Sequence, residues 1–134
     1  MKRKLRAGVI GLGSMGKNHA RIYHELADTD LVGVADIDRE SVLEIAGKYN
    51  CKGFTDYREL ISGDLDIVSI AVPTSLHKDV ALAVADAKIN VLVEKPIADN
   101  LASATAIIDT CRKKGVKLLV GHVERFNPAV KVIE

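Results

Sequence analysis

Three groups of residues have the types and spacing that cofactor chemistry requires. Gly11, Gly13 and Gly16 follow the G-x-G-x-x-G spacing of a turn that holds a pyrophosphate. Asp36 comes about 20 residues after the last glycine, where a carboxylate can accept hydrogen bonds from ribose hydroxyls. In Glu94-Lys95-Pro96, a charged pair directly precedes a proline. Together these groups indicate a dinucleotide site with a reactive side chain at its rim.

Each glycine of the turn has a separate function in such a site. Gly11 allows the tight turn after the first strand, Gly13 lets the backbone approach a phosphate, and Gly16 lets the next helix pack close to the strand. The helix predicted to begin at Ser14 directs free backbone N–H groups and a partial positive charge toward the turn. Glycine-rich turns are common, so the interpretation of this one as a dinucleotide site depends on the strand before it, the helix after it and the acidic residue that follows.

Asp36 favours NAD over NADP, because its carboxylate would repel a 2′-phosphate on the ribose. The alternative is a surface aspartate that caps the next helix, but Asp38 is the better cap for that helix. Arg39 is near enough to accommodate a 2′-phosphate, so the sequence leaves NADP open.

Lys95 is the candidate catalytic residue. A lysine at the end of an apolar strand could orient a substrate hydroxyl beside a bound nicotinamide. It could then assist transfer of the hydroxyl proton as hydride leaves the same carbon. X-Pro bonds are the ones that adopt the cis form, which would re-aim the side chain before Pro96. A solvated Glu94 and Lys95 pair at a strand end explains the spacing equally well.

A second candidate loop, Pro73-Thr74-Ser75-Leu76-His77, follows the fourth predicted strand. Thr74 and Ser75 can either cap the next helix or contact the ribose or pyrophosphate of the cofactor, and one side chain can do both. His77 in the first turn of a helix is more often structural than catalytic.

A third loop, residues 121–128, follows the last predicted strand. It contains His122 and Arg125, and the arginine could pair with an acid or reach a substrate. Spacing alone favours a structural interpretation of this loop.

The elements that must position these residues alternate between strand and helix. Residues Ser14–Leu26 are predicted as a helix with Met15, His19, Ile22 and Leu26 near one face. Continuous apolar runs predict strands that are buried on both faces, as in a parallel sheet covered by helices. The strands are predicted at Leu5–Ile10, Leu31–Ala35, Cys51–Phe54, Ile67–Val72, Asn90–Val93 and Lys117–Val120, and the other helices at Asp38–Tyr49, Asp56–Ser62, His77–Ala87 and Asn100–Lys114, with a last one from Pro128.

This alternation predicts an α/β fold with a doubly wound parallel sheet, the Rossmann arrangement, with about six strands in the order 3-2-1-4-5-6 and right-handed crossovers. Ligands of such sheets bind in the crevice outside the carboxyl ends of strands one and four. The glycine turn, Asp36 and Lys95 all follow strands at that edge.

The composition excludes several other classes of protein. The chain has 134 residues, of which 48% are hydrophobic and 28% charged, and its formal net charge is +1. These values are typical of one globular domain and give no reason to expect a nucleic-acid or membrane partner. The sequence predicts no signal peptide and no metal-ligand spacing. Cys51 and Cys111 lie far apart and are interpreted as free thiols of a cytoplasmic protein.

Taken together, the motifs resemble the Gfo/Idh/MocA family of sugar and cyclitol oxidoreductases over residues 5–134. The resemblance rests on the glycine turn with His19, on Val34-Ala35-Asp36 and on residues 73–77. It is most specific at residues 93–98 and at Arg125-Phe126-Asn127-Pro128.

The resemblance implies a domain that binds NAD(H) or NADP(H). Lys95 matches the active-site lysine of the family, and Pro96 matches its usually cis proline. The cofactor-binding residues expected from the fingerprint and the resemblance together are Gly11, Leu12, Gly13, Ser14, Met15, Gly16, Asp36, Ile37, Ala71, Pro73, Thr74, His77, Glu94 and Lys95.

Residues 121–130 most resemble the nucleotide-sugar dehydrogenases of the family, including the UDP-N-acetylglucosamine 3-dehydrogenases. The family's second domain carries most substrate contacts, a catalytic histidine and often an oligomer interface. Residues 1–121 are therefore expected to form the Rossmann domain, and residues 122–134 to begin the connection to a domain absent from this chain. The chain alone is then expected to be inactive, and a homo-oligomer is left open.

Two alternatives belong to other functional classes. The first is a non-catalytic dinucleotide-binding module or sensor that keeps the fold without the chemistry. The second is a Rossmann-like methyltransferase, which would bind S-adenosylmethionine and would have no use for Glu94-Lys95-Pro96.

Overall fold

The computed structural model describes residues 3–121. Strands and helices alternate through this region as predicted, and one 3₁₀ turn, Thr74–Leu76, precedes the fourth helix. The strands are β1 (Leu5–Ile10), β2 (Thr29–Ala35), β3 (Lys52–Phe54), β4 (Ile67–Ile70), β5 (Asn90–Val93) and β6 (Leu118–Val120), and the helices are α1 (Ser14–Glu25), α2 (Arg39–Tyr49), α3 (Tyr57–Ile61), α4 (His77–Asp86) and α5 (Leu101–Lys114).

The strands form one sheet of six in the order β3-β2-β1-β4-β5-β6, and every neighbouring pair is parallel. This confirms the predicted Rossmann fold. The order reverses between β1 and β4, which are hydrogen-bonded neighbours at the centre of the sheet. The carboxyl ends of these two strands therefore flank the switch-point crevice, where ligands bind in sheets of this kind.

Two apolar layers cover the sheet. On one face, Ala20 and Tyr23 of α1 pack with Val42 and Ile45 of α2. On the other face, the cluster includes side chains from α4 and α5, among them the fully buried Ile107. Because helices cover both faces, the central strands read as continuous apolar runs and not as alternating ones.

Of the residues predicted near one face of α1, Met15 does not face the core, because it is 37% exposed. The buried residues are Gly16, His19, Ala20 and Tyr23. Gly16 packs against the turn behind β1, and this contact fixes the rotation of the helix. Residues three, four and seven positions after Gly16 then face the sheet.

Several predicted boundaries are corrected by one or two residues. β2 begins at Thr29 and not at Leu31, and β4 ends at Ile70 and not at Val72. Asp38 is the N-cap of α2, as predicted, and its side chain accepts a hydrogen bond from the Glu40 amide.

Both cysteines are free thiols, as predicted. Burial raises the pKa of Cys51 to about 11, which keeps this thiol protonated and unreactive at neutral pH. Burial also raises the pKa of Cys111. Among residues 3–121, no helix is both long and apolar enough to cross a bilayer.

Candidate functional site

The glycine turn joins β1 to α1, and the space beside the Cα atom differs among its three glycines. Gly11 has a φ of +98°, and a Cβ there would lie 2.7 Å from the Ala71 carbonyl carbon and oxygen. A Cβ on Gly16 would collide with the Gly11 carbonyl oxygen. Among residues 3–121, nothing lies within 4 Å of a Cβ built on Gly13. The fold thus requires Gly11 and Gly16, whereas the space beside Gly13 is open to a ligand.

Helix α1 begins directly behind this turn. Its N-cap is Gly13, which has no side chain to accept hydrogen bonds from the first-turn amides, and Ser14-Met15-Gly16 of that turn are uncharged. First-turn amides lack intrahelical acceptors and carry the positive end of the helix dipole, so they attract phosphate. By contrast, α2, α3 and α5 are capped by the side chains of Asp38, Asp56 and Asn100.

Asp36 follows β2 and fastens the glycine turn to the next loop. Its Oδ2 accepts a 2.6 Å hydrogen bond from the Leu12 amide, and its Oδ1 accepts a 2.8 Å bond from the Asp38 amide. A carboxylate has about four lone-pair sites, so each oxygen can accept a further hydrogen bond from a ribose hydroxyl. The neighbouring Ile37 is 94% exposed.

The end of β4 lies beside the glycine turn. The Ala71 amide donates a 2.8 Å hydrogen bond to the Ile10 carbonyl, and the Ala71 Cβ would approach a Cβ on Gly16 to 3.5 Å. The 3₁₀ turn at Thr74–Leu76 places Leu76 at the N-cap of α4, and neither Thr74 nor Ser75 caps that helix within the described chain. Their alternative role as helix caps is therefore wrong.

His77 is 2% exposed and connects two loops of the crevice. Its Nε2 lies 2.9 Å from the Val72 carbonyl oxygen, and its Nδ1 lies 3.1 Å from the carbonyl oxygens of both Pro96 and Ile97. The ring therefore supports the backbone after β4 and the backbone after β5. Direct contact between this ring and a cofactor stays a prediction.

Lys95 lies exposed just beyond the end of β5. The Lys95–Pro96 bond is cis, as the family resemblance implied. Gly121 lies beside the lysine, since a Cβ on Gly121 would be 4.0 Å from Lys95 Cε. No acidic side chain among residues 3–121 forms an ion pair with the Lys95 ammonium. The charge of Lys95 is thus available to a ligand on the described side of the crevice.

A buried polar network lies beneath these loops. His19 is fully buried, with Nε2 2.6 Å from Glu94 Oε1 and Nδ1 2.9 Å from Ser69 Oγ. Ser69 Oγ lies in turn 2.6 Å from the Tyr23 hydroxyl. Burial raises the pKa of Tyr23 although the Ser69 hydrogen bond opposes the shift, so the phenol keeps its proton.

Sequence reasoning did not find this network. The sequence predicted His19 near one face of α1 but predicted no hydrogen-bond partner for it, and it predicted no role for Ser69 or Tyr23. The available signal was the spacing from Gly16, because the residue that must touch the strand also defines which side chains follow it inward.

The structure joins many of the predicted site residues through direct contacts. Asp36 contacts Leu12, Gly11 contacts Ala71, and Glu94 contacts the helix that begins at Ser14. His122 and Arg125 lie outside the described residues. Within residues 3–121, no group of three or more histidine, cysteine or acidic side chains could hold a metal ion.

The family model described as oxidoreductase family, NAD-binding Rossmann fold, matches residues 5–122. The UDP-N-acetylglucosamine 3-dehydrogenase of Acidithiobacillus ferrooxidans is 35% identical over 129 residues, which are 96% of this chain and 40% of that protein. The myo-inositol 2-dehydrogenase of Thermotoga maritima is 33% identical, over 97% of this chain and 40% of that protein. The chain thus spans about two fifths of the length of these relatives.

Solved structures have the same fold. The structure of the Acidithiobacillus ferrooxidans enzyme has a TM-score of 0.84 and 34% identity, covering 98% of this chain and 43% of that one. The WlbA dehydrogenase of Bordetella pertussis, in complex with NADH and UDP-GlcNAcA, also has a TM-score of 0.84. It is 28% identical, over 88% of this chain and 37% of that one.

Proposed function

Because the chain belongs to the Gfo/Idh/MocA oxidoreductase family, we propose that it is the cofactor-binding domain of a dehydrogenase. The enzyme transfers a hydride between NAD and a secondary hydroxyl of a sugar, a nucleotide sugar or a cyclitol. The observation that carries the proposal is the open space beside Gly13 at the uncapped start of α1. Asp36 follows a strand on one side of β1, and Lys95 follows a strand on the other side.

The residues of the crevice fit a nicotinamide dinucleotide. A pyrophosphate beside Gly13 would meet the first-turn amides of α1 and the positive end of its dipole. The hydroxyls of the adenosine ribose would donate hydrogen bonds to the Asp36 carboxylate, whose orientation is already fixed by the Leu12 and Asp38 amides. The negative charge of Asp36 favours NAD over NADP.

Bound NAD supplies the hydride acceptor for oxidation of the substrate carbon. As an uncharged amine beside the nicotinamide cation, Lys95 would hold the substrate hydroxyl and accept its proton while the hydride leaves the same carbon and the carbonyl forms. The resulting ammonium is exposed, so the proton can pass to solvent or to a base contributed by a second domain.

The substrate class is proposed from the relatives. Because the named relatives act on UDP-N-acetylglucosamine and myo-inositol, we propose a ring hydroxyl of a nucleotide sugar or cyclitol, with C3 of UDP-N-acetylglucosamine as the first candidate. The free, protonated thiol of Cys51 agrees with a cytoplasmic enzyme. A homo-oligomer stays a prediction.

Titration of the chain with NADH, followed by NADH fluorescence and calorimetry, tests cofactor binding. Gly13→Ala should weaken NADH binding by at least tenfold, about 1.4 kcal/mol, because the new methyl group enters the phosphate space. Gly47→Ala is the matched control, since Gly47 also has open space around its Cβ but lies on α2 away from the crevice. Equal affinity in the two variants would contradict the proposed pyrophosphate site.

Lys95→Ala separates chemistry from binding. We expect NADH affinity of this chain to stay within about twofold, and turnover by the whole enzyme to fall by at least about a hundredfold. Screening UDP-N-acetylglucosamine and myo-inositol in the whole enzyme identifies the substrate class. A loss of NADH affinity equal to the loss of turnover would assign Lys95 to the cofactor site instead.

A further inference from the structure

Two buried histidines hold the turn that carries Lys95, one on each side of it. His19 contacts the Glu94 side chain, which precedes the lysine, and His77 contacts the carbonyl oxygens of Pro96 and Ile97, which follow it. Both histidines are at most 2% exposed, whereas Lys95 is exposed. The exposed lysine therefore lies on a backbone turn that buried side chains contact on both sides.

Each histidine also belongs to a different helix of the crevice. His19 lies on α1, whose first turn is the proposed phosphate site, and His77 begins α4 beside the end of β4. The bond from His77 Nε2 to the Val72 carbonyl holds the β4 loop to the same ring. The Lys95 turn is thus tied to the two helices that start on either side of the switch point.

The His19 contact has a definite polarity. When Glu94 is a carboxylate, which only accepts hydrogen bonds, Nε2 is the donor to Glu94 Oε1 at 2.6 Å. The other ring nitrogen is held by Ser69, and Ser69 is held by the Tyr23 hydroxyl. The hydrogens can be placed so that Tyr23 donates to Ser69, Ser69 to His19 and His19 to Glu94.

We propose that His19 is a positioning residue for Lys95: it couples the helix that binds the cofactor phosphates to the turn that carries the lysine. His77 holds the far side of the same turn. This inference rests on the proposed function, because it takes Lys95 to act beside the nicotinamide. In a low-dielectric interior, a hydrogen bond to a charged group is stronger and more directional than one in water, which suits a rigid connection.

Two variants of His19 separate this role from simple packing. The amide nitrogen of His19→Gln reaches the place of imidazole Nε2, so this variant can still donate to Glu94. The shorter His19→Asn places its amide near the position of Nδ1, so it can bond to Ser69 but cannot reach Glu94. Both variants carry an amide, and their free energies of unfolding are measured so that an additional loss of stability in His19→Asn is identified.

The readout is the environment of Lys95 itself. Lysines of the chain are dimethylated with isotope-labelled methyl groups, which keeps their charge, and the Lys95 signal is assigned by NMR from Lys95→Arg. We expect saturating NADH to shift this signal in the wild type and in His19→Gln. In His19→Asn the shift should fall by at least about twofold, while NADH affinity changes by less than about threefold.

Thr29→Val is the control for destabilisation, because it removes the buried hydrogen bond from Thr29 Oγ1 to the Tyr23 carbonyl at the opposite end of α1. It should leave the NADH-induced shift of Lys95 unchanged. If Gln and Asn at position 19 behave alike, by both keeping or both losing the shift, the coupling is wrong and the proposed function stands. If the wild type binds no NADH, the proposed function itself is overturned.

Discussion

The two ends of the parallel strands, the amino edge where the strands begin and the carboxyl edge where they end, differ in how their charged groups are bonded. At the amino edge, the Arg3 guanidinium makes two 2.7 Å hydrogen bonds to the Asp66 carboxylate, which also accepts a 2.8 Å bond from the Arg6 amide. Asn90 bridges the Asp66 carbonyl and the Lys117 amide. The amino edge therefore closes the starts of the strands with groups from the chain itself.

At the carboxyl edge, hydrogen bonds within the chain hold polar side chains in place around the crevice. Asp36 is bonded to two backbone amides, and the His19–Glu94 pair is buried. The groups that reach the surface there include the start of α1, which no side chain caps, and Lys95, which forms no ion pair among residues 3–121. The amino edge thus stabilises the fold, whereas the carboxyl edge presents positively charged groups whose positions are fixed by hydrogen bonds beneath them.

The largest effect is expected at Gly16. Gly16→Ala should destabilise the chain by about 3 kcal/mol, because its methyl group collides with the backbone of Gly11 and cannot move away. Urea unfolding measures this loss. Gly13→Ala should change stability by less than about 1 kcal/mol, and equal losses in the two variants would show that the carboxyl edge is built differently.

A smaller loss is expected at Asp36. Asp36→Asn places an NH₂ donor against the N–H of either Leu12 or Asp38, which should cost about 2 kcal/mol of unfolding free energy. The wild type should bind NADH roughly tenfold or more tightly than NADPH, and the variant should lose most of that preference. Tighter binding of NADPH by the wild type would contradict the assigned role.

The amino edge should give a pH-dependent effect. Burial acts to raise the pKa of Asp66, but hydrogen bonds from Arg3 and the Arg6 amide and the charges of both arginines leave it below 3.8. A lowered pKa in the folded state means that Asp66 stabilises the fold above about pH 4 and loses this contribution as pH falls through the folded pKa.

Thermal unfolding between about pH 2 and pH 7 measures this term. Asp66→Asn should lower the melting temperature at neutral pH and flatten the acid limb of the curve, while NADH binding at neutral pH is unchanged. The exposed Asp86 offers the control variant Asp86→Asn. If the acid limb were as steep in Asp66→Asn as in the wild type, Asp66 would not contribute to the pH dependence of stability.

The smallest effect is expected at Gly47, which lies on an exposed surface of α2 at neither edge. Gly47→Ala should stabilise the chain by about 0.5–1 kcal/mol, because alanine loses less backbone entropy in a helix. Urea unfolding checks the sign. A destabilising effect would contradict the open space beside Gly47, because it would mean that the new methyl group meets another atom.

The sequence predicted the sheet well because its signals are local. Continuous apolar runs predicted the strands, and Asp38 predicted a helix start. Gly115 follows α5 with a φ of +70°, a residue type common directly after a helix. The strand order followed from the glycine turn and the alternation of elements, since parallel crossovers leave few topologies.

The buried network could not be predicted in the same way. His19 and Glu94 are 75 positions apart, and the residues around each of them do not indicate that the two side chains pair. The sequence grouped Met15 with His19 near one face of α1, whereas Met15 is 37% exposed and His19 is fully buried. A close helix–strand contact, and not hydrophobicity, sets the rotation of that helix.

The contrast between the two edges is tested most directly by NMR of the backbone amides during an NADH titration. We expect the largest shifts from Leu12 to Gly16, with further shifts at Asp36 and Lys95, while the amide signals of Arg6, Asp66 and Asn90 stay unchanged. Shifts concentrated at the amino edge, or spread evenly over both edges, would contradict a cofactor site built on the glycine turn.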